Sequence, residues 1–230
     1  MGRPRSSYTL WILGHVLRGL FVLLVIFICS LLIWRMAFSQ RPPKEMRLLE
    51  ANAVLHEAYE KNSAITVLEQ PDQRGYTEAE DNYAYYQVDW CLFLKEANQV
   101  QLLFFYNDST LERASEKLGL ETVLPHGKEV FSLEIVICED VSPEGHEGDP
   151  IIKEHVIRPT SCTMGENSLY SFGRYVFDGV ELSEDVTVVY LDVYYEDGAR
   201  TELGTMRLYH KDSRSVERAL TSKEEKIVKE

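Results

Sequence analysis

The densest run of groups able to do chemistry lies between Glu139 and His155, EDVSPEGHEGDPIIKEH. His146, Glu147, Asp149 and His155 combine imidazole with carboxylate, a donor set that suits zinc or a similar ion. No helical or strand register fixes their geometry, and a solvated acidic hairpin loop has the same composition. The loop is the expectation here. A metal site is the alternative, and no cofactor is assigned.

Local catalytic signatures are missing from the chain. It has no GxSxG elbow, no phosphate-cradling glycine loop, no HExxH and no DxDxDG calcium loop. This excludes the nucleotide enzymes and zincins whose motifs are local; it says less about sites gathered from distant positions. His56, His126 and His210 stand alone, and Ser161 beside Cys162 has no evident base. Tyrosines offer a second thread. Tyr83, Tyr85 and Tyr86 cluster, as do Tyr190, Tyr194 and Tyr195. On an exposed sheet face they would form a flat amphipathic patch suited to a protein or carbohydrate ligand. Ordinary sheet packing also favours aromatics. Asn107-Asp108-Ser109 matches a glycosylation triplet, but Ser109 also suits a helix cap.

The element that decides where such groups work is the run Gly19 to Trp34, GLFVLLVIFICSLLIW, whose one polar side chain is Ser30. Extended back to Val16 it gives about 28 Å of helix, close to the hydrocarbon thickness of a bilayer. The run is too long for a cleaved signal segment, so an uncleaved anchor over 16–34 is expected, with the bilayer as its partner. Arg3, Arg5 and Arg18 precede it; Arg35, Arg41, Lys44 and Arg47 follow it, so flanking charge does not choose the orientation. A short N-terminal tail (1–15) left in the cytoplasm, with the larger domain outside, is the expected topology at the cell membrane.

All 37 acidic residues lie beyond Gln40, with 20 of the 24 basic ones, so that region carries a formal charge of −17. Nucleic acid would be repelled and is excluded as a partner. Cys29 sits in the span, and Cys91, Cys138 and Cys162 leave an odd number outside it. Cys138 and Cys162 could bridge; buried thiols in strands are the other reading.

Prolines 42 and 43 mark a stiff spacer, and residues 45–61 carry helical periodicity through Leu48, Leu55 and Tyr59. Spacer and helix (35–62) are read as juxtamembrane, packed on the following domain or paired with a second copy in a homo-oligomer. The period then changes to two. Tyr86, Val88, Trp90, Leu92 and Leu94 are assigned to one face of a strand over 83–94. Val100, Leu102, Phe104 and Tyr106 follow on its hairpin partner. Further strands are read over 64–69, 129–138, 151–157, 169–177, 186–195 and 199–209, the last two joined by a turn at Glu196-Asp197-Gly198. Ser109-Thr110-Leu111-Glu112 is a capping box that opens a short inserted helix. Seven or more strands with one inserted helix imply a mainly β fold, an antiparallel β-sandwich of immunoglobulin-like architecture over 63–210. Residues 211–230 read as a charged tail, a frayed helix or disordered. A non-catalytic binding or assembly module, anchored by a single pass, is the functional expectation; a membrane-tethered metal-binding protein or hydrolase built on 139–155 is the alternative.

Overall fold

A computed structural model of the chain describes residues 5–39, 41–70, 87–107, 112, 130–146, 148–167, 169–195 and 201–229. The chain divides into two compact units, Met1–Arg41 and Pro42–Glu230. The first is one helix, α1 (Arg5–Ser39). Its stretch Trp11–Arg35 is long and apolar enough to cross a membrane and has no buried residue. It extends past both ends of the greasy run because no proline interrupts residues 5–39, and it ends just before Pro42 and Pro43.

The second unit is mainly β. Two antiparallel sheets carry strands β1 (Thr66–Glu69), β2 (Gln87–Leu94), β3 (Gln99–Tyr106), β4 (Phe131–Asp140), β5 (Ile152–Ile157), β6 (Ser161–Glu166), β7 (Ser171–Asp178), β8 (Val186–Tyr195), β9 (Thr201–His210) and β10 (Val216–Ala219). The larger sheet has the order β10-β1-β2-β3-β7-β6 and the smaller β5-β4-β8-β9. Helices α2 (Ala53–Asn62) and α3 (Ser222–Lys229) complete the unit.

Alternation puts one face of each sheet into a common core. Val100, Leu102, Phe104 and Tyr106 of β3 meet Phe131, Leu133, Ile135 and Ile137 of β4, with Val189, Leu191, Val193 and Tyr195 of β8 and Met206 and Leu208 of β9. Its centre is aromatic: Phe131 packs edge-on to Tyr106 at 4.8 Å and to Phe104 at 5.4 Å between ring centroids. Tyr175 is fully buried there and donates its hydroxyl to the Phe131 carbonyl, so its polar end costs little.

The face assignment over 83–94 needs correction. β2 carries an irregularity between Val88 and Trp90. The extra residue shifts the alternation, as a bulge must. Val88 therefore joins Cys91 and Phe93 in the inter-sheet core, while Trp90, Leu92 and Leu94 point the other way. Residues 83–86 lie outside the described residues.

The helix read over 45–61 is also shorter. A 3-10 turn at Lys44–Met46 and an extended strap to Asn52 precede α2, which starts where the Asn52 side chain accepts the Leu55 amide at 2.9 Å. The strap stays extended because a folded partner claims its backbone. Gln101 of β3 donates to the Glu50 carbonyl and accepts the Glu50 amide, both at 2.8 Å. The 20-residue C-terminal stretch beyond His210, expected as a tail, carries β10 on β1 and α3.

Two strands were not anticipated. β6 reads SCTMGE and β10 VERA, neither with a clear apolar alternation, and both are edge strands of the six-stranded sheet. The inserted helix falls on residues outside those described, Asn107 and Glu112 excepted, as does the turn at 196–198. The four cysteines are free thiols; Cys138 lies in the smaller sheet and Cys162 in the larger.

Candidate functional site

The loop that opened the sequence reading joins β4 to β5. Its mouth is closed by local bonds. The Val141 amide donates to the Ile151 carbonyl at 2.9 Å, and Ser142 Oγ accepts the Ile151 amide at 2.8 Å. The Ser142 hydroxyl and amide hold the Asp140 carboxyl below its ordinary range. His146 follows the turn at its tip and is exposed, as is Asp149. His155 lies on β5 opposite Ile137 and meets Glu139 at 3.1 Å. Glu147 lies outside the described residues. Among the described residues no group of three or more His, Cys, Asp or Glu side chains is placed to hold a metal ion.

The tyrosine pairs separate. Tyr83, Tyr85 and Tyr86 lie outside the described residues. Tyr195 is fully buried in the inter-sheet core, whereas Tyr190 and Tyr194 stand half-buried on the outer face of the four-stranded sheet. Cross-strand neighbours of Tyr190 are Val136 on β4 and Arg207 on β9. Val156 at the β5 edge extends the same apolar row and is 57% exposed.

A cleft of about 440 Å³ opens on the second unit. It lies on the other sheet, where five chain segments meet. The strap supplies Arg47 and Leu49. The end of β1 supplies Glu69 and Gln70, and β2 supplies Val88 to Leu92. Val216 and Arg218 come from β10, and Glu224 from α3. A strand terminated before Pro71, a bulge at residue 89 and a capped C-terminal helix together make the opening. α3 begins on a capping box: the Thr221 amide and hydroxyl both donate to Glu224 at 2.7 Å, and the Glu224 amide returns to the Thr221 hydroxyl at 3.4 Å.

The cleft's charges are ordered. Arg218 donates to Glu69 at 2.8 Å and to both Glu224 oxygens at 2.8 and 3.0 Å. Burial pushes the Glu224 carboxyl up, but the bonds from Arg218 and Thr221 outweigh it and hold the group below its ordinary 4.5. The same carboxylates raise Arg218, most through Glu224. Burial pushes the Cys91 thiol far up, so it is not a nucleophile at neutral pH. Trp90 carries the one buried side-chain polar atom, among the described residues, that lacks a hydrogen-bond partner: its indole nitrogen. Such orphans are uncommon in stable folds.

A cleft with bonded ions, an aromatic wall and no activated nucleophile can hold a ligand but offers no evident covalent chemistry. Sequence reasoning missed it because its residues come from positions 47 to 224. The local signals that could have found part of it are Thr221-Ser222-Lys223-Glu224, a capping box, and the crowded apolar run of β2. Compared with known proteins, the chain matches no family model, no curated protein and no solved structure.

Proposed function

We propose that the chain is a single-pass membrane protein whose acidic second unit, an immunoglobulin-like sandwich in general architecture, works outside the cytoplasm as a non-catalytic binding or assembly module. One observation carries this reading. Over Trp11–Arg35, α1 presents apolar side chains with none buried, while the unit that follows has a core of its own. An all-round apolar helix is stable only in lipid or inside protein. The formal charge of −17 beyond Gln40 keeps the domain soluble and away from anionic surfaces. The cleft on the larger sheet and the half-buried tyrosines on the smaller are its available ligand surfaces, for protein or carbohydrate.

The test is fractionation followed by protease treatment. The protein is expected to remain with membranes through alkaline carbonate. Protease added to intact cells should remove the C-terminal domain and leave an N-terminal tag protected. Release by carbonate would remove the anchor; a domain that survives until the membrane is broken would reverse the topology.

A further inference from the structure

The cleft opens in a fork. β1 and β2 pair only at Val67↔Leu94 and Leu68↔Phe93. β1 pairs with β10 along its whole length, and β2 with β3 from Gln87 to Leu94. Past Leu68, therefore, the sheet parts. Glu69 and Gln70 stand on one side and the bulged stretch Val88 to Leu92 on the other. The opening falls in the size range of sites that take small ligands or a few residues of peptide. A cleft running beside a strand favours an extended polypeptide, which can lie along it.

Its two arginines differ. Arg218 is saturated by Glu69 and Glu224. Arg47 is exposed, and its Nε donates to the Pro42 carbonyl at 2.8 Å; its two terminal nitrogens have no partner among the described residues. A guanidinium with both terminal nitrogens available matches the two oxygens of a carboxylate. Beside it in the lining stand Leu49, Trp90, Leu92 and Val216, which suit an apolar side chain. Glu69 and Glu224 outnumber Arg218 around the rest of the opening, which leaves a net negative charge there and favours a basic peptide body.

We propose that this fork binds the C-terminal end of a basic peptide: the terminal carboxylate on Arg47, the last, apolar side chain among Leu49, Trp90 and Leu92. The assignment rests on the binding-module reading and gives it a site and a ligand class.

The chain's three tryptophans allow a direct test, since Trp11 and Trp34 belong to α1 and Trp90 alone reports on the fork. The full chain carrying Trp11→Phe and Trp34→Phe, held in detergent micelles, is titrated with acetyl-Lys-Ala-Leu as the free acid and as the C-terminal amide. A saturable change in Trp90 emission with the acid is expected, with affinity for the amide weaker by about ten-fold, the scale of one charge-assisted contact. Arg47→Gln should bring the acid down to the level of the amide, while Arg207→Gln on the other sheet should leave both unchanged. Matched thermal melts establish that Arg47→Gln is folded, and Arg47→Lys, which keeps the charge but not the fork, should fall between. No saturable change with either peptide into the millimolar range, checked by calorimetry, overturns the proposal; so does equal binding of acid and amide. The membrane reading is judged separately by carbonate extraction, so a protein that stays in membranes but ignores both peptides loses only its ligand, and one that binds the acid but washes off loses only its anchor.

Discussion

The two sheets share a core but treat their other faces differently. On the six-stranded sheet, Val67, Leu92 and Leu94 are covered by α2, α3 and the strap, together with Leu49, Leu55, Ile65 and Val228. Leu103 and Phe172 are covered by Met46. On the four-stranded sheet, Val188, Tyr190, Asp192 and Tyr194 stay half-buried, and neither α2 nor α3, the helices of this unit among the described residues, belongs to that face. β8 reads as apolar on both sides, yet only one side meets the core. Its second row is shielded sideways, by β4 and β9 on its two flanks. An apolar run on both faces thus has two causes: a covering layer for β2, and a central position in the sheet for β8.

The cover on the larger sheet is fastened by one buried cation, and removing it should have the largest effect. Arg174 of β7 donates to the Glu50 carboxylate at 2.8 and 3.1 Å, to the Glu45 carbonyl at 2.8 Å and to the Leu48 carbonyl at 3.2 Å. Arg174→Ala leaves the partly buried Glu50 carboxylate with only the Ser161 and Thr163 hydroxyls and no cation, and takes a donor from two carbonyls. A loss of about 3–5 kcal/mol is expected. Denaturant unfolding of the full chain in detergent measures it, and new protease cleavage within 42–52 would place the damage. An effect below about 1 kcal/mol would mean that the strap is held by its apolar contacts and by the Gln99 and Gln101 amides instead.

Leu55→Ala comes next. Leu55, on the inward face of α2, is fully buried, so its truncation should cost about 2–4 kcal/mol through lost transfer energy and the cavity left behind. Val156→Ala, a smaller apolar truncation at the exposed β5 edge of the smaller sheet, should cost under about 0.5 kcal/mol. Equal losses at the two positions would erase the contrast between the faces.

A smaller effect lies at the rim of the cover. Glu224 titrates below its ordinary 4.5 because Arg218 and Thr221 outweigh its burial. In acid the unfolded chain therefore takes up this proton before the folded chain does. The stabilisation is complete above about pH 4.5 and is lost as pH falls through the lower folded value. Glu224→Gln should flatten that part of the acid limb in melts from pH 3 to about pH 6. The same limb in wild type and variant would assign the acid sensitivity elsewhere.

Much of the shared core was legible because period two survives in β3 and over most of β4, and locally in β9, whose register against β8 shifts twice: Leu102 and Phe104, Leu133 and Ile135, Met206 and Leu208 all fall where alternation puts them. β2 was misread at one residue, since a bulge leaves no mark in composition. The strap was illegible for a different reason. Gln99 and Gln101 are polar and alternate with core residues, which argues a solvated face; both are buried because strap groups satisfy their amides. α3 was legible and only half read: a frayed helix was one of two expectations for 211–230, although Thr221 to Glu224 has the same spacing as the capping box at Ser109 to Glu112. The cleft as a whole could not be read, for no spacing rule links Arg47 to Trp90 and Glu224. His146 and His155, adjacent in composition, are separated by fold: one follows a loop tip, the other is in a strand and engaged by Glu139.

A further small effect bears on the outer face of the four-stranded sheet. Tyr190 and Tyr194 are half-buried, with their apolar bodies beside cross-strand neighbours Val136 and Arg207 for the first and Ser132 and Glu202 for the second. Replacing either by Ser removes part of that lateral shielding but opens no cavity, so each should cost about 1 kcal/mol or less. Tyr195, one residue along and fully buried, is the internal reference; Tyr195→Ser should cost several times more, about 3 kcal/mol. Paired melts of the three variants measure the ratio. Losses at 190 and 194 approaching that at 195 would mean the second face is packed, and the tyrosines would then be core rather than a ligand surface. Small losses joined to weaker capture of a protein or sugar ligand would instead give this face a binding role beside the cleft, because a flat tyrosine row gains affinity from contact area without holding the fold together.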